Sequence, residues 1–400
     1  MTSLLVIRGP ADLPIGDFAI AAAGLLAAVS LARTQLRVPG ALRVAGGLIV
    51  VGALIASTVS TDPVGSLGVG LRLTYTVLVV PWILMTLLTE QRHVVRAVQW
   101  WLAGAALCAA GALLQFVLGD VIPGGAITAD SRFTGFTTHP NDLAGIAVMA
   151  AAAALGGAFQ PLLRRWRHIA VGTLAVAVMG LLMSGSVSGL LAMCAVVLFL
   201  IVRGAIKPGR ALILGVAVSI VIGGAVILMK SAGALGPLQR LLQTTGQTGV
   251  SAESNTAGTR LELAERAVGA IIARPVTGHG LVTEDNILLG TFTVHNNFLA
   301  AWHAGGVLVF LGVVIASAIG VRYCLRRVSP DPLLTTVTAA VVAALAFAQT
   351  APGTFNRYYW LPIAFAIVLS VRSRADLSSA AQKPEYGSSS ISRGAASGAV

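Results

Sequence analysis

Long apolar runs alternate with short polar connectors along most of the chain. The runs lie at about 18–33, 44–60, 67–88, 97–118, 143–159, 168–183, 190–203, 211–229, 298–320, 333–349 and 358–371. Each is near the roughly 20 residues that cross the hydrocarbon core of a bilayer, so the pattern predicts about eleven transmembrane helices. It breaks once at length. From 230 to 297 the chain carries Arg240, Arg260, Arg266, Arg274, His279 and His295, with Glu253, Glu262, Glu265, Glu284 and Asp285. Such a density of charge does not fit hydrocarbon. The expectation is an all-α polytopic membrane protein. A helical domain over 1–371 has one large extracytoplasmic loop, 230–297, inserted in it, and a Ser-, Ala- and Gly-rich tail over 372–400 is disordered and cytoplasmic.

Composition sharpens this picture. The 400 residues are 56% hydrophobic and only 10% charged, where a soluble domain carries about 25% charged residues. Mean hydropathy is +0.86. Residues 1–17 hold Asp12 and Asp17 and lack the basic start and cleavage site of a signal peptide. Cys108, Cys194 and Cys324 fall singly in or beside apolar runs, with no metal spacing and no evident disulfide pair.

The formal net charge of +12 raises the question of nucleic acid, and its distribution answers it. Eighteen of the 27 basic residues fall in alternate connectors, among them Arg33, Arg37, Arg92, Arg164, Arg165, Lys207, Arg326 and Arg327. Basic connectors mark the cytoplasmic side. The charge is therefore a topology signal, and no nucleic-acid partner is expected. The parity puts the amino terminus outside and the carboxyl terminus in the cytoplasm, which suits a multi-pass protein of the cytoplasmic (inner) membrane.

With that parity the unusual polar clusters all face outward: Arg132 to Asp142, Ser184 to Ser188, the large loop, and Asn356-Arg357. Arg72 sits about five residues inside the outer end of its run, where it snorkels to the interface or meets a lipid phosphate. Within the loop, 256–273 reads as an amphipathic helix. Leu261, Ala264, Val268, Ile271 and Ile272 give it an apolar face. Thr256 or Thr259 starts it, the latter with Glu262 in a capping box, and Pro275 with Gly278-x-Gly280 ends it. Gly278-His279-Gly280 lacks the strand context of a phosphate loop. Gly185-Ser186-Val187-Ser188-Gly189 places serine second and fourth, whereas a nucleophile elbow needs it third. No glutamate pairs with a histidine at metal spacing, so neither a metal nor another cofactor is expected.

At these residues the chain resembles the O-antigen ligase family, which includes Wzy-type polymerases and related membrane glycosyltransferases. The resemblance spans about 65–370. Arg132-x-x-Gly135 with Pro140-Asn141 is similar to the family's Arg-x-x-Gly and Asn-Pro-Asn, with His139 in place of the first Asn. Gly258-Thr259-Arg260 resembles the start of its outer-loop helix. Pro275-x-x-Gly278-x-Gly280 and His295-Asn296-x-Phe298-Leu299 complete the set. Two departures stand out. The arginine that often follows the serine is Val187 here, and the tryptophan expected shortly after Arg260 is missing.

The resemblance implies a GT-C-like architecture and transfer of a glycan from a polyprenyl-diphosphate carrier to a hydroxyl of an acceptor glycan, lipid or protein. The reaction would run on the outer face, without metal, among membrane lipids. A diphosphate leaving group needs cations, and the acceptor hydroxyl needs a base that titrates near working pH. His295 is assigned as the base and Arg260 as the first diphosphate ligand. Arg72, Arg132, Asn141, Arg266, Asn296 and Arg357 are the further substrate-binding candidates. A small-anion or solute transporter and an envelope-assembly scaffold remain as alternatives.

Overall fold

The computed structural model of the chain describes residues 15–30, 38–128, 131–158, 167–207, 209, 223–224, 256–289, 292–325, 332–351 and 353–381. The expected eighth span at 211–229 (but for 223–224, which are helical), the first part of the large loop at 230–255 and the tail at 382–400 lie outside the described residues.

Twelve α-helices dominate the described residues: α1 (Ile15–Ser30), α2 (Gly40–Ser57), α3 (Pro63–Thr74), α4 (Val80–Leu87), α5 (Gln91–Leu118) and α6 (Pro140–Ala158), then α7 (Arg167–Met183), α8 (Val187–Val202), α9 (Thr256–Ala273), α10 (Asn297–Leu325), α11 (Pro332–Phe347) and α12 (Arg357–Ala381). A π-helical turn, Tyr75–Val79, joins α3 to α4. Among the described residues, four helical stretches are long and apolar enough to cross a membrane by length and composition: Gly40–Ser57, Pro63–Leu87, Gln91–Leu118 and Asn297–Leu325. Shorter apolar helices at Phe18–Ser30, His168–Met183, Val187–Val202 and Leu333–Phe347 occupy further expected runs. Most helices start a few residues before the apolar run, because first-turn residues such as Gln91 and Pro63 are polar or capping yet helical. Residues 372–381, expected as part of the tail, are helical. Arg372 donates to the Leu88 carbonyl (3.0 Å), and the Ala- and Leu-containing stretch after it continues α12 to Ala381.

The centre of the bundle is α6, whose side chains from Leu143 to Leu155 are all buried. A helix that is apolar all round belongs inside. Its alanines let α5, α7, α8 and α11 approach closely, while α2 packs along α10.

Helix α10 is kinked at Gly306, where φ is 66° and ψ −173°. The break frees carbonyls that an unbroken helix would satisfy, and the segment after α9 takes them up. His279 N donates to His303 O and Gly280 N to Ala304 O, both at 3.0 Å, while Val307 N donates back to Pro275 O (3.0 Å). Trp302 Nε1 reaches the same Pro275 carbonyl (3.0 Å). The Pro275-x-x-Gly278-x-Gly280 motif is thus a hook that hangs α9 on the kink. A Cβ at Gly306 would meet the Val276 carbonyl, and φ there is left-handed. Gly306→Ala is expected to cost about 2 kcal/mol or more, read as a lowered Tm of the purified protein.

A second tie comes from Asp285. Its carboxylate accepts hydrogen bonds from Ser60 Oγ, Thr61 Oγ1 and Thr61 N, between α2 and α3. Desolvation opposes its ionisation, but these hydrogen bonds outweigh it and hold the carboxyl below its usual range. Since the folded value is depressed, this tie is present above the ordinary carboxylate pKa and is lost as pH falls through the folded value.

Candidate functional site

The polar clusters that stand apart in sequence meet at one end of the bundle. Arg132, only 5% exposed, donates from Nε to the Ser184 carbonyl (2.7 Å) and from Nη2 to Asn141 Oδ1 (2.8 Å). One side chain therefore joins the first polar connector, the turn before α8 and the start of α6. Gly135 makes this fold possible. It has φ 56°, and a Cβ there would press on the Cys108 carbonyl. On the other side, the buried Asn297 accepts from Gly353 N and Thr354 N, which fastens the connector before α12 to the start of α10.

Between these ties opens a cavity of about 390 Å³, lined by the connector before α6, the loop before α10 and the connector before α12. His139, Asn141, Asp142, Asn286, His295 and Asn356 supply its hydrogen-bonding groups. His295 is held by a hydrogen bond between Nδ1 and the Thr293 carbonyl (2.8 Å). A carbonyl only accepts, so Nδ1 carries the proton and Nε2 is the basic nitrogen of the neutral ring. His139 has the opposite tautomer: Asn141 N donates to its Nδ1 (3.1 Å), which leaves the proton on Nε2. The two imidazoles that line the cavity thus carry their protons on opposite nitrogens.

Asp142 is the carboxylate of the cavity. Its Oδ1 accepts from Asn356 Nδ2 (3.0 Å) and from the Tyr358 hydroxyl (3.0 Å). It stands at the mouth of α6, one residue before the expected span. Burial pushes its carboxyl up to about 6, against hydrogen bonds from Tyr358 and Thr138 that favour the anion.

Arg260 projects from the first turns of α9 and donates from Nη1 to Ser188 Oγ (3.1 Å), while Ser188 Oγ donates to the Thr350 carbonyl (3.1 Å). Ser186 caps α8, so Arg260 stands at the positive end of that helix. The next residue along the connector, Gln349, faces Asn296, whose Nδ2 lies 3.3 Å from the Gln349 carbonyl. Hydrogen bonds thus run from Arg260 through Ser188 and this connector to the neighbour of His295.

The remaining candidates lie elsewhere. Asn296 is the cap of α10, accepting from Phe298 N (2.9 Å) and Leu299 N (3.1 Å). Arg266 is on the exposed face of α9, paired to Glu262 at 2.7 Å. Glu262 is therefore a partner of Arg266, and Thr259 lies inside the helix instead of capping it. The buried face of α9 is Leu263, Ala267 and Ile271, whereas Leu261, Val268 and Ile272 are 63%, 46% and 73% exposed. Arg72 is exposed in the last turn of α3, directly before the π turn. Arg357 opens α12 next to Asn356. These placements give the arginines different surroundings. Arg132→Ala is expected to cost about 2–4 kcal/mol, because it strips two hydrogen bonds that the buried guanidinium makes, one of them to the buried Ser184 carbonyl. Arg266→Ala should change stability by less than about 1 kcal/mol. Thermal unfolding of the two variants checks both.

Asp142, Asn286, Thr354 and Ser188 were not singled out as site residues by the sequence. For Asp142 the available signal was a carboxylate beside Pro140-Asn141 at the end of an apolar run. Among the described residues no three His, Cys, Asp or Glu side chains cluster to hold a metal.

A family model described as O-Antigen ligase matches residues 171–314. The matched segment contains the Ser184–Ser188 turn, Arg260, Arg266, His295 and Asn296; Arg72, Arg132, Asn141 and Arg357 lie outside it. No match was found among curated proteins. The kinked α10, the α9 hook and the cavity edge formed by His295 all fall within or beside the segment that matches the O-antigen ligase model, in a chain whose described residues include helices long and apolar enough to cross a membrane.

Proposed function

We propose that the protein transfers a glycan from a polyprenyl-diphosphate carrier to an acceptor hydroxyl, as a polysaccharide polymerase or ligase. The family match supports a membrane glycan transferase, and the carrier, the chemistry and the orientation are the further steps of this reading. The observation that carries it is His295, its Nδ1 held by the Thr293 carbonyl, on the wall of a polar cavity, linked through Asn296, the connector before α12 and Ser188 to Arg260 at the positive end of α8.

His295 Nε2 takes the proton of the acceptor hydroxyl as its oxygen bonds to the anomeric carbon of the donor glycan. The bond from that carbon to the carrier's phosphate oxygen breaks, and the electron pair leaves on the diphosphate. Arg260 and the amino end of α8 stabilise the charge that develops there. This arrangement answers the departure at Val187: a helix terminus stands where the family often has a cation. Arg132 contributes as a positioning residue that fixes the Ser184 turn, and Arg72 and Arg357 are left as contacts for the carrier at the membrane interface.

The full architecture follows the charge pattern: eleven spans, a GT-C-like bundle over 1–371, the 230–297 loop outside, and the cavity facing away from the cytoplasm. Reporters fused within 256–289 should then read extracytoplasmic, and those fused after Arg374 cytoplasmic. Both on one side would rule out this topology. The function itself is tested by deleting the gene and analysing the lipid-linked glycans. Accumulation of an undischarged polyprenyl-diphosphate glycan is expected, and an unchanged lipid-linked pool with normal surface polysaccharide would contradict it.

A further inference from the structure

The lining of the cavity carries chemistry that the donor does not need. Its polar groups are amides, imidazoles, hydroxyls and the Asp142 carboxylate, with no arginine or lysine among the described lining residues. A diphosphate is poorly served by such walls, since it seeks guanidinium or ammonium partners. A polyhydroxylated ring is well served. Its hydroxyls pair with amide and imidazole groups, and its C–H faces lie against apolar walls, here Leu281, Val294 and Phe355. The volume, about 390 Å³, is at the lower end of the range for small-molecule sites, roughly 300–1,000 Å³. Asp142 is the selective element. A carboxylate offers about four acceptor positions. Asn356, Tyr358 and Thr138 take three of these, which fixes the side chain and leaves acceptor capacity for a ligand hydroxyl.

We propose that this cavity is the acceptor subsite, that Asp142 accepts a hydrogen bond from a hydroxyl or ammonium of the acceptor sugar, and that the site therefore takes neutral or amino sugars and turns away acidic ones. The proposal rests on the transferase reading for the name "acceptor", but its electrostatic logic does not. The positive end of α8 with Arg260 serves the anionic donor, and the carboxylate-bearing cavity serves an uncharged or cationic sugar. An acidic acceptor would bring its carboxylate towards Asp142 with no described lining cation to offset it.

The test uses the full-length chain, purified in detergent, and methyl glycosides paired by configuration: glucoside with glucuronide, galactoside with galacturonide, mannoside with mannuronide, and glucosaminide. Binding is followed by saturation-transfer NMR at pH 7.5. At least one neutral or amino glycoside is expected to bind at least tenfold more tightly than its uronide partner. Asp142→Asn should weaken that glycoside about 10- to 100-fold and narrow the preference over the uronide. Should the variant fold poorly, the wild-type preference alone still decides. Equal or tighter binding of uronides, no binding of any glycoside, or an unchanged preference in Asp142→Asn would each overturn the proposal. A parallel assay with a polyprenyl-diphosphate glycan separates the two claims. Selective binding without transfer keeps the subsite and removes the transferase reading, whereas transfer without selectivity removes the subsite alone.

Discussion

His295→Ala should lower glycan transfer about 10²–10⁴-fold while leaving expression, membrane insertion and Tm close to wild type. The expectation follows from how the ring is held. Nδ1 is tied to the Thr293 carbonyl, so the imidazole is oriented by the backbone and its other nitrogen is the basic one. The start of α10 is fastened by Asn296 and Asn297. Removing it therefore takes away chemistry and leaves the junction standing. The kcat/KM profile should lose the steep part of its acidic limb, because an imidazole that accepts a proton must start neutral. What remains at the lower rate should centre near 6, the value burial gives Asp142. A variant that loses stability but keeps its activity per folded molecule would instead mark His295 as a structural cap.

Arg260→Ala is expected to lower kcat by about 10²–10³, the usual effect of removing one donor from a site of developing negative charge. Arg260→Lys should recover only part of this, since an ammonium cannot reproduce the planar fork. Ser188→Ala separates binding from support. It removes the hydroxyl between Arg260 and the Thr350 carbonyl and should give a smaller loss, visible mainly in kcat at saturating donor. Rates for Arg260→Ala within about threefold of wild type would exclude it as the diphosphate ligand, leaving the end of α8 without its cation.

How far the sequence led can be judged from particular elements. The bounds of α9 were legible, since Pro275 and the glycines after it stop the helix and an undivided periodic run precedes them. Which side of α9 faces the bundle was not. The helix has two apolar stripes, and only the surface it packs on selects Leu263, Ala267 and Ile271 over Leu261, Val268 and Ile272. The ion pair of Arg266 with Glu262 was readable at i, i+4 spacing, and so was the capping character of Asn296 just before an apolar run. Gly305-Gly306 announced a weak point in α10. The hook that stabilises the kink comes from a separate motif, and nothing local joins the two. Asp142 shows the same limit most clearly. Its partners Asn356 and Tyr358 lie 214 and 216 residues away, so its place in the cavity depends on the whole bundle closing.

The central claim is tested most directly by reconstitution. The purified protein in proteoliposomes is supplied with a synthetic polyprenyl-diphosphate glycan labelled in its sugar, together with a defined acceptor, and the products are followed by mass spectrometry. Acceptor-linked glycan and released polyprenyl diphosphate are expected in equal amounts, with both lost in His295→Ala and Arg260→Ala. Well-folded wild-type protein that forms neither product, or variants that form both at the wild-type rate, would contradict it.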